Sequence, residues 1–144
     1  MRLTYYTDYS LRVLMYLAVL EEGQKSSIGD IARSYGISEN HLIKVVHELG
    51  KLGLIATSRG RGGGIKLAVD PKSVRIGDIV RQTEKDFDLV ECFDVLTNTC
   101  KLSSSCKLKH LLASALQVYL NKLNEYTLAD IVEDPSTIQI LLQE

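Results

Sequence analysis

Two short amphipathic segments joined through Gly36, with a glycine-rich hairpin straight after them, leave this chain few folds to choose from. Ser27 opens the first segment, and Asp30 three residues on supplies a variant of the capping box. Gly36 stops that helix. Ser38 sits where the N-cap of the second helix belongs, and Leu42, Val45, Val46 and Leu49 repeat at i, i+3, i+4 and i+7. The opposite face carries Asn40, His41, Lys44 and His47. Two short helices joined by a glycine-containing turn make a helix-turn-helix. Residues 54–58 and 65–69 then read as two strands, with Ile65, Leu67 and Val69 alternating inward. Between them lies Arg59-Gly60-Arg61-Gly62-Gly63-Gly64, a turn whose backbone can approach another molecule closely. Helix, helix-turn-helix and hairpin, in that order, is the winged-helix arrangement.

The flanks fit that frame. Residues 9–20 are apolar except for Ser10 and Arg12 and predict a buried first helix with Thr7 or Asp8 as N-cap. The apolar run 13–20 is eight residues long, too short to cross a bilayer, and no small-residue cleavage signal accompanies it. A cytoplasmic protein without a membrane partner is the expectation. Pro71 closes the hairpin, and 73–84 predicts a linking helix. Residues 85–106 lack periodicity. A long helix follows over about 107–126, with Leu108, Leu111, Leu112, Ala115, Leu116, Tyr119, Leu120 and Leu123 as a wide apolar stripe. That stripe could pack on the first helix of its own chain, or it could meet the same helix of a second copy. Thr127 and Asp130 predict a capping box for a last short helix. The expected fold is mainly α: a winged helix-turn-helix DNA-binding domain with a β-hairpin wing over 1–84, a ligand loop over 85–106, and a dimerisation helix with a short C-terminal helix over 107–144.

Charge divides along the same line. Residues 1–85 hold 13 Lys and Arg against 9 Asp and Glu, whereas 86–144 hold 4 against 9. The front suits a polyanion and the back a protein or a cofactor. In a helix-turn-helix the second helix enters the major groove by its N-terminal residues, here Ser38, Glu39, Asn40, His41 and Lys44. Asn can bond adenine through two atoms, and Lys favours guanine or phosphate. Arg59 and Arg61 would meet phosphates or a narrow minor groove, with Gly62 and Gly63 allowing close approach. A solvated turn is the bland alternative for the wing. A phosphate-binding loop is excluded because no Gly-Lys-Ser/Thr follows, and a dinucleotide fingerprint because Ile65 replaces its last glycine. His41 and His47 could ligate metal, but on a polar face they read first as DNA contacts.

All three cysteines fall in the unperiodic stretch, as Cys92-x7-Cys100-x5-Cys106. A structureless run of this length inside a compact domain is usually functional. Three thiols cannot all pair within one chain. Zinc sites ordinarily carry a Cys-x2-4-Cys knuckle and four good ligands, and neither is present. Looser spacing suits an iron–sulfur cluster, and a 4Fe-4S cluster held by three thiolates leaves one iron for a different ligand. A 2Fe-2S cluster fits less well. The alternative is three buried structural cysteines. No Ser-His-Asp arrangement, paired acid and base, or Cys-x2-Cys redox pair supports an enzyme or a redox carrier.

The whole chain resembles the winged-helix repressor family that contains the iron–sulfur regulator IscR and the nitric-oxide sensor NsrR. The residues that carry the resemblance are Met1-Arg2-Leu3-Thr4 with Thr7-Asp8-Tyr9, the wing 59–64, the three-cysteine loop and Tyr126-Thr127-Leu128. Val90-Glu91-Cys92-Phe93-Asp94 and the x7/x5 spacing look most like the nitric-oxide-sensing branch. The resemblance implies a homodimer on a palindromic double-stranded operator. It also implies a 4Fe-4S cluster on Cys92, Cys100 and Cys106, and repression lifted by nitric oxide. In that branch the fourth ligand is an aspartate of the partner chain near the start of the first helix, a position Asp8 matches. The other branch uses a histidine three residues after its third cysteine. Here Lys109 stands there and His110 one further on, so His110 stays open as the alternative ligand. A plain N-cap role is the alternative for Asp8. A regulator sensing cluster supply or redox state through the same thiols is the rival function.

Overall fold

The computed structural model describes residues 2–143. Helix α1 spans Tyr5–Ala18. Its N-cap is Thr4, whose hydroxyl accepts from the Thr7 N–H at 3.3 Å. This corrects the expected cap at Thr7 or Asp8. The reason is tertiary: Glu84 Oε1 accepts from the Thr4 N–H at 2.8 Å and from its hydroxyl at 3.1 Å, fixing Thr4 as the helix entry. Thr7 is consequently buried, and Asp8 lies inside the first turn, where a carboxylate complements the helix dipole.

Helix α2 (Ile28–Tyr35) starts as expected, with Ser27 Oγ accepting from the Asp30 N–H at 3.0 Å. Gly36 ends it in the left-handed region at φ +62, which only glycine adopts without cost. Helix α3 (Glu39–Lys51) buries Leu42, Val45, Val46 and Leu49 against α1 and α2. Ser38 holds the N-cap position of α3 without a side-chain cap bond. The hairpin is shorter than expected: β1 (Ile55–Ser58) pairs antiparallel with β2 (Gly64–Leu67), from Ile55 opposite Leu67 to Ser58 opposite Gly64. Ile65 points into the core. Its backbone also exchanges both hydrogen bonds with Ser26, at 3.0 and 2.8 Å, tying the wing to the start of α2.

Pro71–Ser73 forms a single 3-10 turn capped by Asp70, so the linking helix α4 runs only Ile76–Thr83. It packs between α1 and α5 (Lys107–Asn124). The apolar stripe of α5 does not settle on α1. Only Leu120 is fully buried, while Leu108 and Leu111 remain 60% and 64% exposed. The α4 contacts lie near the C-terminal end of α5, where Asn124 Nδ2 donates to Asp78 Oδ1 at 3.0 Å. Helix α6 (Leu128–Ile131) has the expected capping box, with Thr127 and Asp130 each bonded to the other's backbone. Backbone bonds Ile76 N–H to Tyr126 O and Leu128 N–H to Val74 O return this segment to the front of the chain. A further helix, α7 (Pro135–Gln143), was not expected; it packs on α2, and Gln139 Nε2 donates to the carbonyl of Val19 at the C-cap of α1. The start of α7 is organised by Asp134, whose carboxylate accepts from the Thr137 and Ser136 hydroxyls, which bring its pKa down to about 2.

Candidate nucleic-acid interface and thiol loop

The buried side of α3 decides what its other side shows. With Leu42, Val45, Val46 and Leu49 turned inward, Ser38, Glu39, Asn40, His41, Lys44 and His47 are exposed together. His41 is not free-standing. Its ring lies 6.3 Å from that of Tyr9 on α1, tilted by 34°, so α1 braces the start of the exposed face. Tyr9 was not singled out as a contact, since nothing in its spacing points to a ring on another helix.

On the hairpin, Arg59, Gly60, Arg61, Gly62 and Gly63 are all exposed. The turn closes through the Gly63 N–H to Gly60 O at 2.9 Å. A Cβ at Gly63 would stand 2.5 Å from Ser58 O, so this turn admits no side chain there. Lys25 Nζ donates to Ser58 Oγ at 3.0 Å and to Gly62 O at 3.3 Å, bracing the wing from the loop before α2. Lys25 is another residue that sequence spacing could not assign. Among the described residues, Lys44, Arg59 and Arg61 take part in no ion pair. Their charge is directed at solvent, on the exposed α3 face and at the hairpin tip.

The thiols sit on the segment between α4 and α5. Cys92 is half-buried in a single 3-10 turn, Glu91–Phe93; Cys100 is exposed; Cys106 is half-buried at the N-cap of α5. Its Sγ accepts from the Lys109 N–H at 3.4 Å. No disulfide joins them. Glu91 accepts from both the N–H and the hydroxyl of Thr99, which holds its carboxyl below the ordinary range. Asp94 is lowered likewise, by the Thr97 hydroxyl and the Leu96 N–H.

Asp8 stands on α1. Its Oδ1 accepts from Arg12 Nε at 3.0 Å, and the Arg12 guanidinium also lies over the Tyr35 ring at 5.7 Å. His110 is exposed on α5, one turn beyond Cys106. Among the described residues no three His, Cys, Asp or Glu side chains converge as a metal site. The structure therefore brings the α3 face residues together and the wing residues together. It places the thiols on one loop without convergence and leaves Asp8 paired with Arg12. The donor set nonetheless suits an iron–sulfur group: three free thiols, each at least partly open to solvent, on the one segment between α4 and α5.

The sequence profile of the Rrf2 family, described as "Iron-dependent Transcriptional regulator", matches residues 3–134. The chain belongs to the Rrf2 family. The match spans all three regions: winged helix, thiol loop and long helix. The chain is 53% identical over 143 residues to the HTH-type transcriptional regulator NsrR of Bacillus subtilis (strain 168), covering 99% of this chain and 98% of that protein. Its identity to the HTH-type transcriptional regulator NsrR of Bacillus licheniformis is 54% over 142 residues, covering 99% of each. Among solved structures, T. potens IscR superposes with a TM-score of 0.75 at 26% identity, over 96% of this chain and 91% of that one. CymR, the global cysteine regulator of B. subtilis, superposes at 0.73 and 23% identity and supports the fold. This Rrf2 protein is accordingly a helix-turn-helix transcriptional regulator that binds DNA, and its relatives are named as regulators, not enzymes. No helix among the described residues is long and apolar enough to cross a membrane.

Proposed function

We propose that this chain is a homodimeric repressor that holds a 4Fe-4S cluster on Cys92, Cys100 and Cys106, with the partner's Asp8 as fourth ligand, and that it leaves a palindromic operator on meeting nitric oxide. The observation that carries this reading is the full-length likeness to regulators named NsrR in a chain whose three free thiols all lie on one loop. A bound cluster would supply an iron that reacts with nitric oxide. The protein's part is to make that iron reachable. A carboxylate is a harder ligand than a thiolate and the easier of the two to displace. Asp8 is partly exposed, and Arg12 offers it an alternative partner within its own chain. Asp8 also precedes Tyr9, whose ring braces His41, so movement at the start of α1 is felt at the start of α3. In a two-fold dimer the recognition helices must stay about 34–36 Å apart to read successive major grooves, and a small rotation loses that register. The uncovered leucines of α5 supply the second copy's contact.

Preparation without oxygen tests the whole reading. Iron and sulfide are counted, the visible spectrum is taken, and operator binding is measured before and after stoichiometric nitric oxide. Bleaching together with DNA release supports it. Binding that ignores the gas but is lost with the metal favours a sensor of cluster supply or redox state. Colourless, iron-free protein that binds its operator fully overturns the cluster reading.

Three variants examine the parts. Asp8→Ala keeps iron but changes the nitric-oxide response or the operator affinity; native behaviour in both removes Asp8 from the site. Arg61→Ala weakens binding on every sequence and lowers the salt dependence by about one unit, as the loss of one phosphate contact requires. Asn40→Ala instead relaxes preference at one base position, at a cost of about 1–3 kcal/mol on the best site. An unchanged salt slope in Arg61→Ala means that the wing does not touch phosphate.

A further inference from the structure

The thiol loop has almost no apolar anchorage of its own. Val95 and Leu96, at its middle, are 85% and 94% exposed. Its order comes from side chains bonding the backbone. Glu91 Oε1 accepts from the Thr99 N–H at 2.6 Å and from the Thr99 hydroxyl at 2.7 Å. Glu91 is the neighbour of Cys92, and Thr99 is the neighbour of Cys100, so one carboxylate closes the span between the first two thiols. Asn98 Oδ1 accepts from the Cys100 N–H at 3.0 Å, and Asn98 Nδ2 donates to Ser103 Oγ at 2.6 Å. Ser103 Oγ in turn donates to the Cys100 carbonyl at 3.0 Å.

We propose that Glu91 is a positioning residue that holds Cys92 and Cys100 near one another before any metal arrives, which rests on the reading of these thiols as cluster ligands. A free loop loses entropy when its ends are gathered, and a carboxylate that satisfies two donors at once meets that cost in advance. Glu91 itself ligates nothing. Two functions of the carboxylate can be separated, because glutamine keeps the accepting Oε1 and removes the charge.

The test compares the full native chain with Glu91→Ala, Glu91→Gln and Thr99→Val, all prepared without oxygen. In metal-free protein, amide exchange is followed at Thr99 and Cys100. Iron and sulfide are then counted after loading with ferrous iron and sulfide. Glu91→Ala is expected to exchange about three- to tenfold faster at the Thr99 amide, which loses an exposed charge-assisted bond, and to change less at the Cys100 amide, which Asn98 still holds. It should retain less iron than the native chain, with an unaltered spectrum for what remains. Glu91→Gln should lie close to native, and Thr99→Val between the two. Thermal midpoints should not move, since Glu91 is exposed. Native iron content in Glu91→Ala overturns the proposal, whatever its exchange rates. An altered spectrum in Glu91→Ala overturns it too, by making Glu91 a ligand. If the native chain itself takes up no iron, the cluster reading falls first and this proposal with it, an outcome distinct from failure of the variants alone.

Discussion

Cys92→Ala, Cys100→Ala and Cys106→Ala each end with protein that binds neither iron nor sulfide after anoxic loading. The expectation follows from ligand number. Three cysteines are the whole thiolate supply of this chain, and removing any one leaves two. The fold should survive each change, because all three thiols lie outside the core cluster and are at least partly open to solvent. Cys106 needs a control, since its sulfur also caps α5 through the Lys109 N–H. Cys106→Ser keeps a capping oxygen at that position and still lacks a thiolate. It should match the native metal-free chain in helix content and thermal midpoint and yet remain colourless. A native visible spectrum and iron count in any one of these variants removes that cysteine from the site.

Leu42→Ala should cost about 2–5 kcal/mol of folding stability, the range for deleting a fully buried leucine and leaving part of its volume empty. Leu42 is 0% exposed and belongs to the core cluster that α3 shares with α1 and α2. Domains of this size are stable by only about 5–15 kcal/mol, so the change takes a large share. The thermal midpoint should fall by roughly 6–20 °C for a chain of this length. It is read at fixed protein concentration, because association shifts it. Lys44 provides the contrast, two residues along the same helix but exposed. Lys44→Ala should leave the midpoint nearly where it was and weaken DNA binding. A midpoint unchanged in Leu42→Ala would mean that α3 is not held by this side chain.

Periodicity carried far in this chain where burial is one-sided. The repeat of Leu42, Val45, Val46 and Leu49 could be satisfied in one way only, and the face opposite was thereby exposed. Ser27, Gly36 and the Thr127–Asp130 pair are local devices, complete within a few residues, and they act as expected. What failed was non-local. Thr4 caps α1 because Glu84 reaches it from 80 residues away. The stripe of α5 has the period of a packed helix, but period alone cannot name the surface it meets, and α4 takes only its C-terminal half. Helix α7 has Ile138, Leu141 and Leu142 at helical spacing, but over only nine residues, too short a run for periodicity to distinguish it from a tail.

The candidate site divides in the same way. Residue types and spacing alone determined that three thiols share one loop, that the wing turn carries two arginines and that polar residues line one face of α3, since these follow from chain order. Only the tertiary structure decided that Tyr9 braces His41 and that Lys25 steadies the wing. Tyr9 with His41 and Lys25 with the wing join groups more than thirty residues apart. Asp8 and Arg12, one helical turn apart on α1, are by contrast a local i,i+4 pair. No local pattern encodes those long contacts: they arise when helices pack and bring distant side chains within a few ångströms.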